Sequence, residues 1–151
     1  MSTIGFDTSN YTTSTAWTDG KTDINVRQIL YVKDGERGIR QSDGVFQHMK
    51  LMPVMYEKLS EQIDFKDVKA VGVSTRPRCV EGSYMPVFLA GEGYAKVVAN
   101  TVGVPLYEFS HQDGHIMAGI YSSGSFELLE NENSEISEKI SRRPVLGRQV
   151  S

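Results

Sequence analysis

A mixed-sheet α/β lobe is the fold class the sequence predicts, and three observations predict it. Residues 3–32 read as three β-rich segments separated by turn signals. A long segment of helical period, Ser42 to Ile63, follows. Strand-like and helix-like stretches then alternate, as they do where parallel strands are joined by crossover helices. The resulting order, βββαβαβα, is a ribonuclease-H-like layout with a mixed five-stranded sheet.

Each element has its own justification. Thr3-Ile4-Gly5-Phe6-Asp7 is a short apolar strand that breaks into Thr8-Ser9-Asn10-Tyr11, before Thr12 to Trp17 resumes β-favouring residues. The two read as a hairpin. Its tip, Asp7 to Asn10, offers hydroxyls and backbone N–H groups to a phosphate or a metal-bound water, and the same residues form plain Asx and Ser turns in any protein. Asp19-Gly20 marks a second turn, and Ile24 to Val32 alternates as a third strand. In the long segment, Val45, Phe46, Met49, Met52, Met55, Tyr56, Leu59 and Ile63 recur at threes and fours. Ser42 is the expected N-cap, and Pro53 is expected to kink the helix unless it begins nearer that point. A lone His48 within it reads as a structural or surface residue, and the methionines read as core filler.

Val68 to Val73 is a compact strand that ends in the loop Ser74 to Ser83, the place where α/β proteins put ligand contacts. There Arg76 and Arg78 suit a phosphate or a carboxylate, or simply solvate the loop. Val87 to Val102 is helical in pattern, and Gly91 and Gly93 within it point to close packing or the close approach of a ligand. Gly103-Val104-Pro105 stops that helix. A strand candidate, Val104 to Tyr107, leads to His111-Gln112-Asp113-Gly114-His115 and the apolar run 116–121.

If residues 111–121 are helical, His111 and His115 stand four apart on one face, close enough to hold one divalent metal ion. Such a pair also caps helices or bonds to solvent. Asp113 is placed to orient an imidazole from behind, and a third ligand is not apparent.

Composition narrows the function classes. With 151 residues, 39% hydrophobic and 23% charged, the chain is of single-domain size and buries a real core. A formal net charge of −3 gives no general basic surface, so a nucleic-acid contact needs a local patch. No apolar run approaches a membrane span, the N-terminus lacks a signal-peptide pattern, and a single Cys79 fits a reducing compartment. The expected location is cytoplasmic, with no membrane partner. After Tyr121 the chain turns to Ser122-Ser123-Gly124-Ser125, an acidic run through Glu138, and Arg142-Arg143-Pro144. Residues 1–121 are therefore expected to form the lobe. Residues 122–151 are expected to form an acidic, poorly structured tail, with a partial strand near Phe126, Leu128 and Leu129.

Five segments, in order over residues 3 to about 121, resemble the TsaD/Gcp/Kae family of tRNA threonylcarbamoyl transferases, once called O-sialoglycoprotein endopeptidases. They are Gly5-Phe6-Asp7-Thr8-Ser9, the stretch Gly44 to Pro53 with His48, Val71-Gly72-Val73-Ser74-Thr75, Gly103-Val104-Pro105-Leu106, and His111-Gln112-Asp113-Gly114-His115. The resemblance implies an actin-like ATPase (ASKHA) lobe. It also implies a divalent metal, iron or zinc, on His111 and His115, and a catalytic role for Asp7. Thr8, Ser9, Asn10, Arg76 and Arg78 would face substrate or phosphate. The implied ligand is an adenine nucleotide or threonylcarbamoyl-adenylate, and the implied reaction transfers the threonylcarbamoyl group to an adenosine beside the tRNA anticodon. The implied partners are tRNA and a TsaB-like or identical subunit.

Two departures stand out. The family's opening motif continues after Thr-Ser with Cys-Asp-Glu, whereas this chain reads Asn10-Tyr11-Thr12, and the family's Gly-Pro-Gly loop is here Arg76-Pro77-Arg78. The family's second lobe, with a further Asp ligand and most of the nucleotide pocket, is expected to be absent from this chain. A TsaD-like metal-binding protein, inactive as a truncated chain or acting as an acyl transferase, is one reading. A non-catalytic partner or scaffold of a threonylcarbamoyl transferase complex, offering the helical face of Val45, Met49, Met52 and Met55 to that partner, is the alternative. No Ser/His/Asp, Cys/His or His-Glu-x-x-His set supports a peptidase, and Asp7 alone is too few carboxylates for a two-metal nuclease.

Overall fold

Along β1 (Ser2–Asp7), buried Ser2, Ile4 and Phe6 alternate with half-buried Thr3, Gly5 and Asp7, the period of a strand covered on one face. The computed structural model describes residues 1–83 and 85–115. β1 pairs antiparallel with β2 (Thr12–Thr18), and β2 pairs antiparallel with β3 (Asp23–Ile29). On its other side β1 runs parallel to β4 (Val68–Arg76), and β4 runs parallel to β5 (Leu106–Ser110). Among the described residues the sheet has five strands in the order β3-β2-β1-β4-β5, the predicted ribonuclease-H-like, ASKHA-type arrangement. Residues 111–115 are helical; the predicted continuation through 121 and the predicted 122–151 tail lie outside the described residues.

Two helices, α1 (Gln41–Ser60) and α2 (Phe88–Val102), cover the face that carries Ile4 and Phe6. Met52, Leu59, Ala95 and Ala99 meet Ile4, Phe6, Val71, Val73 and Leu106 there, each full burial of a large apolar side chain contributing about 1.5–3 kcal/mol. The methionines divide: Met52 and Met55 are core, as expected, while Met49 is 52% exposed.

α1 differs from expectation at its N-terminus and is continuous at Pro53. Its N-cap is Arg40, which makes no side-chain capping bond, so Ser42 lies inside the first turn. The helix also runs unbroken through Pro53. Proline has no N–H for the carbonyl four residues back. That carbonyl belongs to Met49, and it accepts instead from the Tyr94 hydroxyl of α2 at 2.8 Å. The proline's missing donor has become a tie between the helices.

β5 lies further along than Val104 to Tyr107. The Pro105 carbonyl accepts from Val71 N at 3.0 Å, and the ladder with β4 then runs from Leu106 to Ser110. This shift carries the strand to the residue before His111. α2 ends where Gly103 takes a left-handed conformation (φ 79°), as predicted. Among the described residues no helix is long and apolar enough to cross a membrane.

Candidate functional site

In a parallel pair, the carboxyl ends of the strands and the segments leaving them converge at one edge of the sheet. Here β1 ends on Asp7, β4 on Ser74 to Arg76, and β5 on Ser110, immediately before the helical residues 111–115. The sequence prepares each segment locally. Asp7 accepts from Ser9 N through Oδ1 at 2.7 Å, an Asx turn that reverses the chain after β1. Ser110 and Asp113 form a reciprocal capping box: Asp113 N donates to Ser110 Oγ at 3.0 Å and Ser110 N donates to Asp113 Oδ2 at 3.1 Å. His111 and His115 then fall on one side of the capped turn.

The two imidazoles converge. Their Nε2 atoms are 2.8 Å apart, with ring centroids 4.3 Å apart and planes crossing at 82°. His111 is fixed from behind: its Nδ1 lies 2.9 Å from Asp7 Oδ2 and 2.8 Å from Ser9 Oγ. Burial opposes the charge on Asp7, but hydrogen bonds from Ser9, His111 and Ser74 outweigh it and hold the carboxyl below its ordinary range. An ionised carboxylate only accepts, so the His111 proton sits on Nδ1 and the Nε2 lone pair faces His115. That is the tautomer a metal ligand needs. Across that gap His115 Nε2–H donates to it.

The donor set suits half of a metal site. Two metal–nitrogen bonds of about 2.0–2.1 Å in a tetrahedral arrangement set the nitrogens roughly 3.3 Å apart, about half an ångström from the observed separation. Among the described residues no third ligating side chain joins the pair into a cluster. The expectation that Asp113 orients an imidazole is corrected: Asp113 caps the helix and accepts from Cys79 Sγ at 3.1 Å, and the carboxylate on His111 is that of Asp7.

The remaining sequence candidates divide. Ser9 is at the site. Thr8 is fully buried, its hydroxyl donating to Val87 O at 2.8 Å and accepting from Gly91 N at 2.9 Å, which staples the turn to α2. A side chain at Gly91 would meet Thr8 Oγ1 at 2.9 Å, so that glycine serves close packing. Asn10 is exposed in a left-handed conformation, φ 48°. Arg76 donates to Thr75 Oγ1 at 3.0 Å and faces Cys79 Sγ at 3.6 Å, while Arg78 is exposed on the loop that follows. Sequence reasoning missed Ser74, whose hydroxyl donates to Asp7 Oδ2 at 2.7 Å. Only the strand register places it there. It also missed the Ser110 box, although the Ser-x-x-Asp spacing is a readable signal. Beside these groups, on the sheet face opposite α1 and α2, an apolar cavity of about 520 Å³ is lined by Gly5, Ala16, Gly72, Phe109 and Asp113.

No protein-family profile matches the chain. Its sequence is similar to tRNA N6-adenosine threonylcarbamoyltransferases: 28% identical over 128 residues to that of Pyrobaculum calidifontis, covering 83% of this chain and 36% of that one. It is 31% identical over 78 residues to that of Christiangramia forsetii and 36% identical over 73 residues to that of Clostridium kluyveri. These alignments cover 51% and 47% of this chain, and the chain spans 22% and 20% of those relatives. Among solved structures, it is similar to an uncharacterised protein with similarity to peptidase YeaZ from Pseudomonas aeruginosa, with a TM-score of 0.51 at 14% identity over 72% of this chain and 43% of that one. That likeness concerns the fold.

Proposed function

From a chain whose sequence relatives are tRNA N6-adenosine threonylcarbamoyltransferases, we propose that it supplies the metal-holding lobe of a site that transfers a threonylcarbamoyl group to a tRNA adenosine. The observation that carries this reading is the convergence of His111 and His115 Nε2 at 2.8 Å, with His111 set in its ligating tautomer by Asp7. His111 and His115 hold the iron or zinc. When bound, a divalent ion supplies Lewis-acid polarisation of a carbonyl or phosphoryl oxygen. Asp7 serves this site as a positioning residue for His111, since its two oxygens are already engaged by Ser9, Ser74 and His111. Ser9 steadies the same Nδ1. Arg78, exposed on the loop after β4, is the cation offered to the phosphate of an adenylate donor. tRNA is the acceptor.

A second reading, a non-catalytic partner subunit, draws on Phe46, Met49 and Val54 of α1 and Leu89 and Val97 of α2, which are 52–65% exposed. The experiment that separates the two is a graft. The matched residues of this chain replace the 128-residue matched segment of the Pyrobaculum calidifontis relative, and transfer to tRNA from threonylcarbamoyl-adenylate is measured. The transferase reading expects metal-dependent transfer that is lost with His111→Ala/His115→Ala. A folded, metal-loaded graft that transfers nothing contradicts it and favours the partner reading.

A further inference from the structure

His48 projects from α1 into the core beneath the β1–β2 turn and is fully buried. Its two nitrogens are both engaged. Nε2 faces Asn10 O at 3.3 Å, and a carbonyl only accepts, so Nε2 carries the proton. Nδ1 is therefore the acceptor for the Thr13 hydroxyl, at 2.7 Å. Burial, acting first, and the Asn10 bond and Asp7 charge opposing it leave His48 below the ordinary imidazole range, so the ring is neutral and suited to giving one hydrogen bond and taking one. These partners flank the turn on both sides. Asn10 closes it in a left-handed conformation, and Thr13 opens the body of β2. The same turn carries Asp7 and Ser9, the two groups that touch His111 Nδ1. A continuous path runs from α1 through His48, the Asn10 carbonyl and the Asx turn to the tautomer of His111.

We infer that His48 is a positioning residue for the metal site: a buried imidazole that sets the Asp7–Asn10 turn from below and thereby fixes the tautomer and aim of His111. The inference rests on the reading of His111 and His115 as ligands for its consequence, but not for its geometry. An apolar residue of similar size would fill the space and leave the Asn10 carbonyl and Thr13 hydroxyl without these partners. Glutamine, with a donor nitrogen and an acceptor oxygen at its tip, retains part of the function.

The test uses the whole chain labelled with ¹⁵N in histidine, held metal-free at a pH where imidazoles are neutral. The wild type is expected to show His111 predominantly as the Nδ1–H tautomer. In His48→Ala that preference is lost, and in His48→Gln it is partly restored. Cobalt affinity, read by absorbance, is expected to fall about 10-fold in His48→Ala, the scale seen when a ligand loses its supporting partner. Thr13→Ala, which keeps the ring but frees Nδ1, is expected to move the same tautomer signal and stands in should His48→Ala not fold. A folded variant with lowered stability but an unchanged His111 tautomer would overturn the inference, because His48 would then be core packing alone. A tautomer shift in a chain that binds no cobalt upholds the His48 inference and defeats the metal reading. Normal cobalt binding with no tautomer shift does the reverse.

Discussion

Asp7→Asn should lower zinc affinity about 10- to 100-fold while leaving the chain folded. Asparagine has the shape of aspartate but offers one acceptor oxygen and one donor nitrogen. In the native site Oδ1 accepts from Ser9 N, and Oδ2 accepts from both Ser74 Oγ and His111 Nδ1. If the amide nitrogen takes the Oδ1 place, it confronts the Ser9 N–H. If it takes the Oδ2 place, it donates to His111 Nδ1, which drives the imidazole proton to Nε2 and removes the lone pair that faces His115. The Ser74 hydroxyl can rotate to accept, so the second arrangement costs less, and it is the one that disables the ligand. Calorimetric zinc titration of the two proteins at one pH checks this, with circular dichroism confirming the fold. Equal affinities would mean that Asp7 does not set the tautomer.

Thr8→Val should act on stability and not on the site. The side chains are close in volume, but the substitution strips the hydroxyl that joins Val87 O and Gly91 N, both at the start of α2. Each buried group left unpaired costs about 1–3 kcal/mol. Urea unfolding should show that loss, and zinc affinity should match wild type. The opposite pattern, unchanged stability with weakened phosphate or metal binding, would return Thr8 to the role of a ligand.

Much of this lobe was legible because its signals are local. The hairpin, the period of α1, the compact apolar strand β4 and the Gly103 stop are each written within a few residues. What was not legible depends on partners distant in the chain. Pro53 reads as a kink, yet the Tyr94 hydroxyl takes over the carbonyl it frees. Strand β5 reads three residues early at its far end, because Val104-Pro105 is apolar while the ladder with β4 decides where pairing stops. Within the site, the His pair was visible from its spacing, and the geometry brings its nitrogens together. Its support reads as Asp113, the near carboxylate in sequence, but Asp113 caps a helix, and Asp7, more than a hundred residues away, does the orienting. His48 reads as structural or surface, and it is structural; nothing adjacent in sequence reveals that it lies under the turn.

Metal content is the most direct test of the account. The chain is purified without chelator, and iron and zinc per chain are measured by mass spectrometry for the wild type and for His111→Ala/His115→Ala. The account predicts near-stoichiometric iron or zinc in the wild type and none in the double variant. Metal-free wild type, or equal metal in both proteins, would contradict it.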